Sequence, residues 1–140
     1  MLDQLKMNTI KRIMLCVMTE RGATKAKIVE STQLSTSTVS SCVNSLLKLK
    51  LLVIGGMEES SGGRPSAIYR MNGAFGHFIG LDLQPEGIYG AVVNCDGEVL
   101  KQFGHTFKKE EIPVNILIEL LEEEISSYKP VLGIGVGMGI

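Results

Sequence analysis

No apolar run in this chain reaches the roughly 18 residues that a membrane-spanning helix needs. The first residues, Met1-Leu2-Asp3-Gln4-Leu5-Lys6, lack the basic start and apolar run of a secretory signal. These two absences predict a cytoplasmic chain with no membrane partner. Cysteine is scarce: Cys16, Cys42 and Cys95 are odd in number, far apart and set among apolar neighbours. A zinc site needs close ligand pairs, so no metal is expected, and the thiols read as buried and free in a reducing compartment. What the chain does have is apolar content, 44% of 140 residues, enough for one ordinary domain or two small ones.

The net charge of -1 hides a split. Ten basic and five acidic residues lie up to Asn72, whereas four basic and ten acidic residues follow Gly73. A basic first part can neutralise phosphates while an acidic second part stays off nucleic acid. The split predicts two domains, residues 1-73 and 74-140.

Residues 2–20 carry Leu2, Leu5, Ile10, Ile13, Met14, Val17 and Met18 at helical spacing, and Arg21-Gly22 ends that stripe. Gly22 is the residue suited to the left-handed cap. Thr24 is placed to cap a short helix over Lys25–Thr32, with Ala26, Ile28 and Val29 as its buried side. Gln33-Leu34 makes a tight connection to a second helix over residues 35–49, capped by Ser35. Val39, Cys42, Val43, Leu46 and Leu47 are its inward stripe. Two β-rich runs follow, residues 51–54 and Ser66–Met71. They are joined by a loop with Gly55-Gly56 at one end and Gly62-Gly63-Arg64-Pro65 at the other. The loop tip, Glu58-Glu59-Ser60-Ser61, is too polar to be buried. Helix, turn, helix and a hairpin is the order of a winged helix-turn-helix.

That order assigns the second helix to the major groove of double-stranded DNA. Thr36, Ser37, Thr38, Ser40, Ser41 and Asn44 remain for its outward face or first turn. Short hydroxyl side chains let a helix backbone lie close to DNA, bonding phosphates or base edges. Ser35 alone needs no role beyond capping, but the further hydroxyls and the amide exceed what a cap requires. No Arg or Gln on this helix offers a bidentate base contact, so sequence readout rests on small contacts, the hairpin loop or DNA shape. Lys25 and Lys48 are expected to add phosphate affinity, with Lys27 and Lys50. Arg64, braced by Pro65 and preceded by two glycines, is expected in a minor groove or on a phosphate. The competing view is that Gly-Gly-Arg-Pro merely ends the loop.

The helix segment Leu34-Ser35-Thr36-Ser37-Thr38-Val39-Ser40, then Gly63-Arg64-Pro65 and Tyr69-Arg70-Met71-Asn72, resemble the N-terminal domain of the ROK family (repressors, open reading frames, kinases). Regulators of that family, those for xylose and N-acetylglucosamine use among them, join a winged helix-turn-helix to a sugar-kinase-like domain. The resemblance implies an α+β chain: the winged helix-turn-helix, then a partial ribonuclease H-like, actin-like ATPase domain of three antiparallel strands, a helix and a strand. It implies a sequence-specific, sugar-responsive repressor acting on a DNA operator.

The later residues fit that implication. Phe78–Leu83 is apolar, residues 88–95 and 98–107 flank an Asp96-Gly97 hairpin signal, and residues 113–128 are amphipathic. On that helix Val114, Leu117, Ile118, Leu121, Ile125 and Tyr128 share one side, the expected core face. A buried-type strand runs over residues 131–140. ROK kinases carry an Asp-x-Gly-Gly-Thr phosphate loop where this chain has Asp82-Leu83-Gln84-Pro85-Glu86-Gly87. Pro85 removes an N–H and Glu86 adds negative charge where phosphates would sit, so neither enzyme activity nor a cofactor is expected. The family's sugar-binding segment, catalytic Asp and zinc motif would lie past Ile140, making a sugar effector conditional on that further part. The open strand edge predicts a homodimer or higher assembly, through the edge or the N-terminal helices. Two alternatives are a degenerate or truncated sugar kinase binding nucleotide or sugar, and a winged-helix module that binds protein.

Overall fold

The computed structural model describes residues 2–59 and 61–139, the side chains of residues 2–5 excepted. Ser60 of the expected loop tip, Ile140, and the side chains of Leu2 and Leu5 in the first stripe lie outside the described residues. The fold is mixed α+β, with four α-helices and two sheets among the described residues, in two compact units, Met1–Asn72 and Gly73–Ile140. None of the helices is long and apolar enough to cross a membrane.

In the first unit, α1 (Leu2–Thr19), α2 (Lys25–Thr32) and α3 (Thr36–Lys48) precede a hairpin of β1 (Leu52–Glu58) and β2 (Ser66–Met71). The helix starts follow from local chemistry. Thr24 Oγ1 accepts from the Lys27 N–H, and Ser35 Oγ accepts from the Thr38 N–H, each closing an otherwise open helix N-terminus. At the end of α1 the left-handed position falls to Arg21 (φ 53°) rather than Gly22, which sits one residue further on at φ 121°. Arg21 N–H bonds Met18 O and Gly22 N–H bonds Val17 O, so the glycine completes a two-residue cap that Arg21 begins.

Ile13, Val17, Ile28, Val39, Val43, Leu46 and Leu52 are at most 1% exposed and form the centre of this unit. Burying each stabilises by about 1.5–3 kcal/mol. Tyr69 and Met71 close it from β2. Ala26, expected inside, is exposed, because Ile28 and Thr32 already fill the inner side of a two-turn helix. Gly55 and Gly56 belong to β1 rather than the loop. They form a bulge in the register between Ile54 and Gly56, so the strand continues to Glu58. Ala23 exchanges two backbone hydrogen bonds with Tyr69, tying the link between α1 and α2 to the hairpin.

The second unit begins with a short 3₁₀ turn and then forms β3 (His77–Gln84), β4 (Gly87–Asn94), β5 (Val99–Thr106), α4 (Pro113–Ser127) and β6 (Val131–Met138). Strand order is β5-β4-β3-β6, antiparallel except that β6 runs parallel to β3, a pairing that requires a crossover and receives α4. Asn94 Oδ1 accepts from the Asp96 and Glu98 N–H groups, and Gly97 takes φ 82°, which together make the hairpin turn. Ile79, Leu81, Ile88 and Val92 are the buried centre.

The core face of α4 is not the one expected. Ile116, Leu117, Leu120, Leu121 and Tyr128 pack on the sheet core, whereas Val114, Ile118 and Ile125 are exposed. More than half of the helix circumference is apolar, so spacing alone could not select the side. The sheet selects the side that carries Glu124, which is 1% exposed and meets Lys101 of β5 at 2.6 Å.

Candidate nucleic-acid interface

The outward side of α3 is built by subtraction. Val39, Val43 and Leu46 face the core, and Cys42 and Leu47 flank them. Thr36, Ser37, Thr38, Ser41, Asn44, Ser45 and Lys48 are exposed, while Ser40 is half-buried. Three of these hydroxyls are engaged locally: Ser35 Oγ donates to Thr38 Oγ1 at 2.8 Å and lies 3.1 Å from Ser37 Oγ, so Ser37 and Thr38 belong to the cap as well as to the surface. Ser45 Oγ donates to the Ser41 carbonyl at 3.1 Å. Ser45 was not among the expected residues, although its spacing of four from Ser41 and eight from Ser37 sets it on their line.

Lys25 is not a freely swinging cation. Its Nζ lies 3.5 Å from Asn44 Oδ1 and 5.9 Å from the centre of the Tyr69 ring, so residues from α2, α3 and β2 converge at one flank of α3. Lys48 stands exposed in the last turn of α3. Arg64 is exposed in the hairpin loop, and its guanidinium has no hydrogen-bond or ion-pair partner among the described residues. The other flank of α3 borders an open groove of about 610 Å³, walled on its far side by Lys6, Thr9 and Ile10 of α1. Cys42 lines it, and burial pushes that thiol above its ordinary pKa, leaving an uncharged group there. Lys6 and Thr9 carry no sequence signal for this position, since only the packing of α1 beside α3 brings them there.

In the second unit Asp82 is exposed at the end of β3, where its carboxylate accepts from Gln84 Nε2 at 2.7 Å. No group of three His, Cys, Asp or Glu among the described residues is arranged to hold a metal.

No family model matches the chain. Over 118 residues it is 34% identical to the xylose repressor of Bacillus spizizenii and 35% identical to that of Bacillus subtilis, covering 80% and 81% of the chain. A putative xylose repressor of a Caldicellulosiruptor species is 30% identical over 133 residues. The chain spans about a third of the length of these relatives (31% to 33%). Among solved structures, a ROK family transcriptional regulator described as a homolog of the E. coli MLC protein superposes with a TM-score of 0.61. It covers 95% of this chain and 35% of its own, at 18% identity. The chain thus shares the fold of this part of a ROK family regulator and is similar in sequence to a third of the length of xylose repressors. A match over 80% of the chain necessarily includes α3 and the hairpin, and these relatives are named repressors.

Proposed function

We propose that the chain is the DNA-reading, N-terminal part of a sugar-responsive transcriptional repressor. The first unit is read as a winged helix-turn-helix, domain 1-73, with α3 in the major groove and the β1–β2 loop as its wing. The second, domain 74-140, is read as the opening of a ribonuclease H-like, actin-like ATPase domain. One observation carries the proposal: α3 presents an exposed hydroxyl and amide face, flanked by Lys25 and Lys48, in the same unit as the exposed Arg64. Ser37, Ser41 and Asn44 would tune readout, Thr36, Thr38 and Ser40 would approach the backbone, and Arg64 would anchor the wing.

Control by a sugar, as in the relatives named xylose repressors, would act through parts of a full-length relative that this chain does not span. The β3–β4 turn supports a regulator over an enzyme, since Gln84 and Pro85 stand where a phosphate loop needs glycine. Self-association is supported by β6, which pairs with β3 on one side and exposes Leu132, Ile134, Val136 and Met138. The test is a titration of labelled duplex DNA across a salt series. Binding that weakens linearly in the logarithm of salt is expected, and absence of binding at low salt overturns the proposal. Calorimetry with ATP and magnesium separates it from the kinase reading, and sedimentation over a concentration series tests for a dimer.

A further inference from the structure

We infer that residues 6–10 of α1 belong to the DNA interface, and that one strand's phosphates run along the groove between α1 and α3. This rests on the reading of α3 as the helix that enters the major groove. A helix with its side chains is about 10–12 Å across, and the major groove is about 12 Å wide. A seated helix therefore fills the groove, and whatever lies beside it meets the sugar-phosphate walls rather than base edges. On the side of Asn44 that neighbour is Lys25. On the opposite side it is the wall of α1, with Lys6 and Thr9 facing Ser41 and Ser45 across the groove.

The chemistry of that groove suits a phosphate strand. Among the described residues its lining holds one ammonium and several hydroxyls and no carboxylate. Ile10, Leu46 and Leu49 also line it and offer apolar surface to deoxyribose. The unit around it carries ten basic against five acidic residues. An acidic peptide would satisfy the Lys6 ammonium too, but the two flanking lysines and the proposed seat of α3 favour a duplex, whose two backbones border one groove.

The test compares Lys6→Ala and Lys6→Arg with the unaltered chain, by fluorescence anisotropy on a mixed-sequence DNA duplex across a salt series. Loss of one phosphate contact lowers the logarithmic salt slope by about 0.9, which over the decade down to about 0.1 M salt is a weakening of roughly eightfold. Lys6→Ala is expected to show both changes, equally on unrelated duplexes, and Lys6→Arg to restore them. Thr9→Glu, which sets a carboxylate in the groove, is expected to weaken binding further. Lys6 is exposed, so thermal melting should match across the Lys6 variants. If the unaltered chain binds duplex and Lys6→Ala keeps its slope and affinity, the inference is overturned while the reading of α3 stands. If the unaltered chain binds no duplex at low salt, the reading of α3 itself fails and this inference with it.

Discussion

Lys101 Nζ lies 2.6 Å from Glu124 Oε1, and the Glu124 side chain is almost wholly buried beneath α4, with its second oxygen lacking any partner among the described residues. Removing the lysine would strand a buried carboxylate, whereas replacing both groups by apolar side chains removes the problem. Lys101→Met alone is expected to lower the melting temperature, and Lys101→Met with Glu124→Leu to recover most of it. A double-mutant cycle by thermal melting reads this, and additive losses would argue against the pair. The hydrogen bond to Glu124 is the main cause that holds the Lys101 ammonium above its ordinary value of 10.5. A raised pKa means the pair's contribution is complete below that value and is lost as pH rises through the folded one.

At the other end of β5, His105 Nε2 lies 2.8 Å from Glu111 Oε2, and the Lys108 N–H donates to the same oxygen. The imidazole hydrogen bond, then the backbone one, holds the Glu111 carboxyl below its ordinary 4.5. A lowered pKa contributes stability above the ordinary value and loses it as pH falls through the folded one. Glu111→Gln should therefore be less stable than the parent near neutrality, and the difference should shrink in acid. Urea melts at the two pH values measure it; a difference that is constant with pH would refute the assignment.

Ser35 caps α3, and Ser35→Ala is expected to cost about 1 kcal/mol, with Ser35→Gly costing only a few tenths. Chemical denaturation of the two variants gives both numbers. Equal losses would mean that the hydroxyl, bonded to Thr38 on both N–H and Oγ1, acts through the side-chain network rather than through the cap.

Arg64 is exposed and without a partner among the described residues, so Arg64→Ala should leave the melting temperature unchanged. It should weaken duplex binding and reduce the salt slope by about 0.9. Lys48→Ala should behave likewise. Lys25→Ala, by contrast, should also lower stability, because it removes a cation from Tyr69 and a partner from Asn44. Melting curves beside anisotropy titrations separate the two behaviours, and a Lys25 variant with unaltered melting would sink the distinction.

Much of this architecture could be read along the chain, because its causes are local. Thr24 and Ser35 announce helix starts through one hydroxyl each, and the α3 stripe of Val39, Val43 and Leu46 has a single polar opposite side, so its orientation had one answer. The Asn94–Glu98 turn is likewise contained in five residues. Where a helix has two apolar sides, as α4 does, spacing gives no preference, and Val114, Ile118 and Ile125 were expected in the wrong place. In the candidate interface, Ser45 was recoverable by counting along α3. Lys6 was not, since it lies 35 and 39 residues from Ser41 and Ser45, the serines it faces.

By itself, then, the sequence determined the succession of elements, their caps and the polar side of α3, all of them set by interactions within a few residues. Only the tertiary structure decided that Glu124 is buried, that Lys25 is held between Asn44 and Tyr69, and that α1 walls a groove beside α3. Each of those depends on surfaces from separate elements meeting in space. The free energy of such meetings comes from burial and charge pairing that no single segment contains.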